Sequence, residues 1–416
     1  MSTEPSNGRL GVFAVGVGAV ASTLMSGVEL IRRGVRPAVG SFTQMGFLER
    51  PDGTSVRVSD ALPVARLTDI VFGGVDLLET NAADAARTAA VLNPTDLALA
   101  QDFLATIKVG PGVFDPAYIG NLKPKNVRAE KTKFELAQAM AGEIRRFLAD
   151  GKCARGVVLL TLSTEAWRSQ TAVHATPESF LAGLKRSDPA ISPAQIYAWA
   201  ALEAGCPVVN CTPNQVPEVP ALQAIATARG LPICGSDLKS GQTLMKTVVA
   251  TGLAQRLLGI RGWYSTNILG NRDGLVLHAP DNFRAKEITK GGVLSDIFDA
   301  QRYPELYGDL THQVHINYFP PKGDNKEAWD AIQLFGWLGY EMELKINFEC
   351  RDSILAAPLV LDLALFTDLA ARKKASGVQS WLASYFKSPA ARPGETISNQ
   401  LHIELATLHD QLRSWL

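Results

Sequence analysis

The chain has 416 residues, 46% hydrophobic and 7% aromatic, enough apolar material for two packed domains at about 100–200 residues each. Lys+Arg and Asp+Glu are equal at 41, so no net charge marks it for nucleic acid or an anionic membrane surface, and anion recognition must be local. Its five cysteines lack C-x-x-C spacing, which argues against a disulfide framework or zinc knuckle and predicts a cytoplasmic setting.

Residues 11–28, "GVFAVGVGAVASTLMSGV", carry no charge and superficially suggest a signal peptide or a membrane span. The run breaks at "GVG" and resumes with helical spacing into "ELIRRG", which predicts strand, turn and helix over 21–33. No other segment is read as a span. Further strands are expected in "RPAVGSF", "DIVFGGVD", "ARGVVLLTLS", "PVVN" and "LPICG". Ser192 and Pro193 open a helix that Gly205 stops, and another runs from about Pro220 to Gly230. Strands alternating with helices predict an α/β fold: a parallel sheet covered on both faces.

The character changes after Gly241. "GWYSTNILG", "HQVHINYF" and "MELKINFEC" alternate as half-buried strands of a mixed sheet. Helices then return in "SILAAPLVLDLALFTDLAARKK" and "VQSWLASYFKS". The expected division is a parallel-sheet domain over 1–240 and 351–416, with a smaller mixed α/β domain inserted over 241–350.

Three features carry chemistry. "GVGAVAS" follows the first strand and matches G-x-G-x-x-A with Gly16, Gly18 and Ala21, a turn whose amides can meet a pyrophosphate. No acidic residue ends the expected second strand, "VGSF", so Asp76 becomes the candidate for the adenosine ribose. "GSDLKSGQTLMKT", 235–247, places Ser240, Gly241, Gln242 and Thr243 at the start of a helix, where they can cradle a phosphate; a plain helix cap by Ser240 explains that motif alone equally well. Lys286 and Lys290, four apart, share a helical face, while Lys326 and Lys387 stand alone. Each lysine taken singly reads as a solvated surface cation. The six histidines offer no metal pattern.

In order along the chain, "GSDLKSGQTLMKT", "GWYSTNILGNRDG", "FRAKEITK", "YFPPKGDNKEAWD", "CRDSILAAPLVLDLALF" and "YFKSP" together resemble the inositol-phosphate synthase family. The resemblance covers nearly the whole chain. It implies a Rossmann-type NAD domain, NAD as cofactor, a monovalent or divalent cation of open identity, a sugar-phosphate substrate and a homotetramer. It implies cyclisation of glucose 6-phosphate by oxidation at C5, enolisation, aldol closure and re-reduction.

By that resemblance Lys286, Lys290, Lys326, Lys387, Asp237 and Asp352 are the catalytic set. Ser240, Gly241, Gln242, Thr243, Asn267, Asn271 and Asp273 hold the substrate. Gly16, Gly18, Asp76, Ser163 and Thr164 contact the cofactor. Two other readings stay open at this point: a five-membered-ring synthase acting on fructose 6-phosphate, and a silent NAD-binding regulator. All four lysines being present speaks against silence, whereas the altered surroundings "GSDLK", "VVNCTPNQ" and "FGGVD" keep the ketose reading alive.

Overall fold

The computed structural model describes residues 6–277 and 293–416. Apart from a small two-stranded hairpin, six strands come first: β1 (Arg9–Val15), β2 (Ile70–Asp76), β3 (Val109–Pro111), β4 (Cys153–Leu160), β5 (Val208–Asn210) and β6 (Pro232–Cys234). Then follow β7 (Gly259–Leu269), β8 (Thr311–Tyr318), β9 (Asn325–Phe335), β10 (Glu341–Arg351) and the two-residue β11 (Gly377–Val378).

One sheet runs β3-β2-β1-β4-β5-β6-β11 with every neighbour parallel. The order 3-2-1-4-5-6 is that of doubly wound dinucleotide-binding sheets, which open a crevice at the carboxyl ends of their central strands. Alternation along β1 feeds two apolar layers. Leu10 and Val12 pack with Leu24, Leu159 and Phe366 on one face, Phe13 and Val15 with Ile144, Val158 and Trp199 on the other.

Six helices matter here: α1 (Ala19–Arg32), α2 (Lys133–Asp150), α3 (Pro193–Glu203), α4 (Gln242–Gln255), α5 (Asp352–Arg372) and α6 (Leu401–Arg413). Helix α3 is capped as its sequence predicts, with Ser192 and Gln195 exchanging the two bonds of a capping box. Helix α5 packs on α1. It is the one described helix long and apolar enough to cross a membrane, with mean hydropathy 1.9, yet 72% of that window is buried inside the protein. The reading that only residues 11–28 invite that comparison is thus corrected; α5 is apolar over most of its surface because it lies in the core.

Three strand and helix expectations are also corrected. "RPAVGSF" forms no strand. Ser41 instead precedes a short helix, Phe42–Met45, and the amides of Phe42 and Thr43 donate to the buried Asp362 carboxylate at 2.6 and 2.9 Å. The second strand of the sheet is therefore 70–76, and it ends on Asp76. "VQSWLASYFKS" gives β11, a 3₁₀ turn over Ser380–Tyr385 and an extended exit rather than a helix, because Gly377 takes φ +68° and the segment docks along β6.

The third correction adds a strand. β9 pairs antiparallel with both β7 and β10 in a second sheet ordered β8-β7-β9-β10. Its pattern hid it: Asp330 points inward and Trp329 outward, the reverse of ordinary amphipathicity. Asp330 is tolerated there because Trp263 Nε1 and Ser265 Oγ donate to it at 2.8 and 2.5 Å. Trp263, Phe298, Tyr307 and Ile332 form this sheet's own apolar cluster.

Candidate active site

A cavity of about 460 Å³ lies where the parallel strands end. Residues after β1 (Gly16, Gly18), at the end of β2 (Asp76), after β4 (Ser163, Thr164) and after β6 (Asp237, Ser240) line it, with Asn271, Asp352, Ser353 and Lys387. Its size suits a small-molecule ligand.

The glycine turn fits a dinucleotide. Gly16 has φ +88°, and a Cβ there would stand 2.6 Å from Leu162 Cα, so this position admits glycine alone. Gly18 is the N-cap of α1, whose first turn carries no acid and no side-chain cap bond. A Cβ at Gly18 would meet nothing within 4 Å: the space in front of the helix amides is open, which is the cradle a pyrophosphate needs.

Asp76 Oδ1 accepts from the amides of Leu78 and Glu79 at 2.8 and 3.3 Å, fixing the carboxylate at the strand end beside β1. This is the position of the ribose-binding acid in dinucleotide folds. It stands far along the chain from the glycines only because the segment between α1 and β2, with its small hairpin Phe47–Glu49 and Ser55–Arg57, intervenes. Ser163 and Thr164 are held by Asn214, which receives the Glu165 amide at 2.8 Å and donates to the Ser163 carbonyl at 3.1 Å.

On the opposite wall two ion pairs meet. Lys387 Nζ lies 2.9 Å from Asp237 Oδ1, and Lys326 Nζ lies 3.1 Å from Asp352 Oδ2. Ser240 Oγ donates to Asp352 Oδ1 at 2.9 Å. Gly241 is the N-cap of α4, and a Cβ on it would come within 3.1 Å of Asp352 Oδ1 and 3.9 Å of Lys326 Nζ. Burial alone would raise the Asp352 carboxyl; the charges of Lys326 and Lys387, with the bonds from Lys326 and Ser240, overcome it and hold the group below the ordinary carboxylate range.

Two anticipated substrate residues face elsewhere. Gln242 donates to Asp330 at 3.1 Å and accepts from Asn267 at 2.5 Å, so its side chain ties α4 to the second sheet rather than reaching the cavity. Asn267 is fully buried, and its Oδ1 has no partner among the described residues. Thr243 is buried as well. Asn271 reaches the cavity and donates to Asp324 at 3.3 Å. Lys286 and Lys290 lie outside the described residues, as does the Asp273 side chain.

The structure also gives roles to groups outside the anticipated set. Lys239 Nζ sits between the two carboxylate oxygens of Glu404 on α6, at 2.8 and 2.7 Å, with both side chains buried. Cys350 lies opposite Lys326 across β9 and β10, its thiol pushed up to about 11 by burial and then by Asp352. Glu165, directly after the Ser163-Thr164 pair, is pushed up to about 7 by burial. Among the described residues no three His, Cys, Asp or Glu side chains gather to hold a metal ion.

The sequence pattern of myo-inositol-1-phosphate synthases matches residues 10–413. An inositol-3-phosphate synthase of Bacteroides thetaiotaomicron is 45% identical over 388 residues, covering 93% of this chain and 90% of the relative. One from Populus euphratica is 32% identical, covering 98% and 85%. The crystal structure of inositol-3-phosphate synthase from Caenorhabditis elegans superposes with a TM-score of 0.93 at 26% identity, over 99% of this chain and 87% of that one. With this match over nearly its whole length, and with the glycine turn, Asp76 and Lys387 lining one cavity, the chain belongs to the myo-inositol-1-phosphate synthase family.

Proposed function

We propose that the chain converts glucose 6-phosphate to 1L-myo-inositol 1-phosphate, using NAD without net redox change. The observation that carries this reading is the single cavity lined by the glycine turn, by the Lys387–Asp237 pair and by Asp352, which holds Lys326 behind it. Bound NAD supplies a hydride acceptor at C5 of the sugar that is restored when the ring has closed. Gly16, Gly18, Asp76, Ser163 and Thr164 hold it, and a carboxylate at Asp76 favours a ribose hydroxyl over a 2′-phosphate.

The remaining steps belong to the chain's own side chains. Lys387 Nζ, held by Asp237, handles the proton on O5 as the hydroxyl becomes a ketone and returns. The ketone acidifies C6–H, and the C6 carbanion attacks the C1 aldehyde to close the ring. Ser240 and the amides around Gly241 receive the phosphate at the start of α4. Lys326 Nζ, with Lys290, stabilises the oxyanions that form during enolisation and aldol closure. Lys286 joins Lys387 near O5, while Asn271 and Asp273 order the sugar and its loop. We assign residues 241–350 to a domain that covers the substrate and joins subunits, and the assembly to a homotetramer. Support for the latter comes from the edge strand β10, whose residues 341–345 are all exposed, and from the tip before it, where Trp337 is 87% exposed. The apolar tip, where Leu338 and Tyr340 are exposed beside Trp337, suits burial against a second copy. The cytoplasm is the compartment we assign.

Glucose 6-phosphate deuterated at C5, supplied with unlabelled NAD, tests the cycle. The label should remain on the ring of the product, with no NADH accumulating. Stoichiometric NADH, or loss of label to free cofactor, identifies an ordinary dehydrogenase instead. A separate check concerns the cradle: Gly18→Val should stay folded by circular dichroism yet weaken NAD binding, read by fluorescence, by about 100-fold or more, since the branched side chain fills the pyrophosphate's place. Unaltered NAD affinity would move the cofactor elsewhere.

A further inference from the structure

The altered stretches "VVNCTPNQ" and "GSDLK" meet beneath Asp237. Asn210, at the end of β5, donates to Ser236 Oγ at 2.8 Å and to the Asn214 carbonyl at 2.6 Å. Ser236 Oγ donates onward to Glu218 Oε1 at 2.6 Å, and the Val216 amide donates to Glu218 Oε2 at 3.0 Å. Asn210 and Ser236 are buried. Glu218 keeps part of its surface exposed while its carboxyl turns inward to these donors. Burial raises that carboxyl, against the bonds from Ser236 and the backbone that pull it down.

Ser236 immediately precedes Asp237, which has φ +60°, a left-handed conformation that a residue with a side chain holds only when its surroundings determine it. The backbone around it is zipped to the segment bearing Lys387. Ser236 and Ser388 exchange both main-chain bonds at 2.8 and 3.1 Å, Lys387 N donates to the Asp237 carbonyl at 2.6 Å, and Asp237 N donates to the Thr212 carbonyl at 2.9 Å. These bonds align the two segments. The bonds of the Ser236 side chain fix its rotation relative to β5 and the 216–218 turn, and with it the direction in which the next residue's carboxylate leaves the chain.

We propose that Ser236 and Glu218 are positioning residues, a side-chain brace from Asn210 through Ser236 to Glu218 that aims the Asp237 carboxylate at the Lys387 ammonium. The proposal rests on the reading above that Lys387 manages the O5 proton. The brace touches neither substrate nor cofactor; it acts through Asp237.

Ser236→Ala removes one oxygen, the smallest change available, and leaves Asn210 its bond to the Asn214 carbonyl. We expect kcat to fall by about 10–100-fold, the scale on which small displacements of a reacting group act. The KM for glucose 6-phosphate and the Kd for NAD should stay within about twofold, since neither ligand is touched. Glu218→Ala should behave alike, and Glu218→Gln, whose amide oxygen still accepts from Ser236 although its NH2 cannot accept from the Val216 amide, should recover part of the loss. In an Asp237→Asn background the Ser236→Ala loss should disappear, because the brace then has no carboxylate to aim.

A second readout does not need turnover. Limiting acetic anhydride followed by mass spectrometry of the Lys387 peptide should show increased acetylation in Ser236→Ala, as the ammonium loses its fixed partner. Unchanged kcat together with an unchanged Lys387 footprint overturns the brace, and so does a Ser236→Ala loss that persists in full on Asp237→Asn. A wild-type chain that forms no inositol phosphate would fail the functional reading alone, with the footprint still deciding the brace.

Discussion

Lys326→Ala should lower turnover by about 10²–10³-fold, the effect of removing one preorganised stabiliser of a developing oxyanion, about 3–4 kcal/mol. Its ammonium is fixed on Asp352 at 3.1 Å, with the Lys326 side chain only 12% exposed, beside the Gly241 N-cap where the substrate phosphate is expected. The KM should rise as well, because the same cation faces an anionic substrate. Lys326→Arg restores charge but not a compact, rotatable donor, so it should recover only part of the rate. Single-turnover measurement of product separates the chemical step from release. A Lys326→Ala enzyme within about threefold of wild type removes this lysine from the mechanism.

The same substitution alters acid stability, with a definite sign. The folded Asp352 carboxyl lies below its unfolded value; burial opposes that shift and Lys326 is the foremost cause of it. A depressed carboxyl stabilises the fold above its unfolded value, about 3.9, and that stabilisation fades as pH falls through the folded one. Lys326→Ala should remove part of this contribution near neutral pH and flatten the acid limb of a denaturation curve.

The parallel sheet was legible because its strands are buried on both faces and read as continuous apolar runs between capped helices. The glycine turn was legible because Gly16 and Gly18 are there for the backbone alone. Asp76 was singled out for an incomplete reason: with "RPAVGSF" taken as a strand it stood displaced, whereas the sheet ends its true second strand on it. β9 was missed because Asp330 occupies a core position, and an inward carboxylate becomes intelligible only once Trp263, Ser265 and Gln242 are seen donating to it. Gln242 shows the converse. Its place in a phosphate-binding sequence said nothing of the direction of its side chain. The pairing of Lys326 with Asp352 and of Lys387 with Asp237 spans separations of 26 and 150 residues. No local pattern carries such contacts, so only the family resemblance pointed to them.

Lys239 is the clearest case of a charge whose role the sequence could not disclose, and the largest stability effect is expected there. Lying between Asp237 and Ser240, it looks like part of the anion site, yet its ammonium turns away into a buried pair with Glu404 on α6. Lys239→Ala should therefore destabilise the protein by about 3–5 kcal/mol, because it leaves a carboxylate buried without its partner. Replacing both groups with apolar residues, Lys239→Met with Glu404→Leu, should restore most of that loss, since the intact pair itself stands against a large desolvation cost. The pH dependence distinguishes this account from a simple packing defect. In the wild type burial already raises the Glu404 carboxyl despite the opposing charge of Lys239, so without Lys239 it must rise further. A carboxyl raised in the folded state favours folding below its unfolded value, about 4.3, and that advantage is lost as pH climbs through the folded one. Urea denaturation should accordingly show a smaller Lys239→Ala penalty at about pH 5 than at about pH 8, and the double variant should lack this trend. An equal penalty at both values would mean that Glu404 finds another partner, and that α6 is not tied to the segment before α4 through this pair.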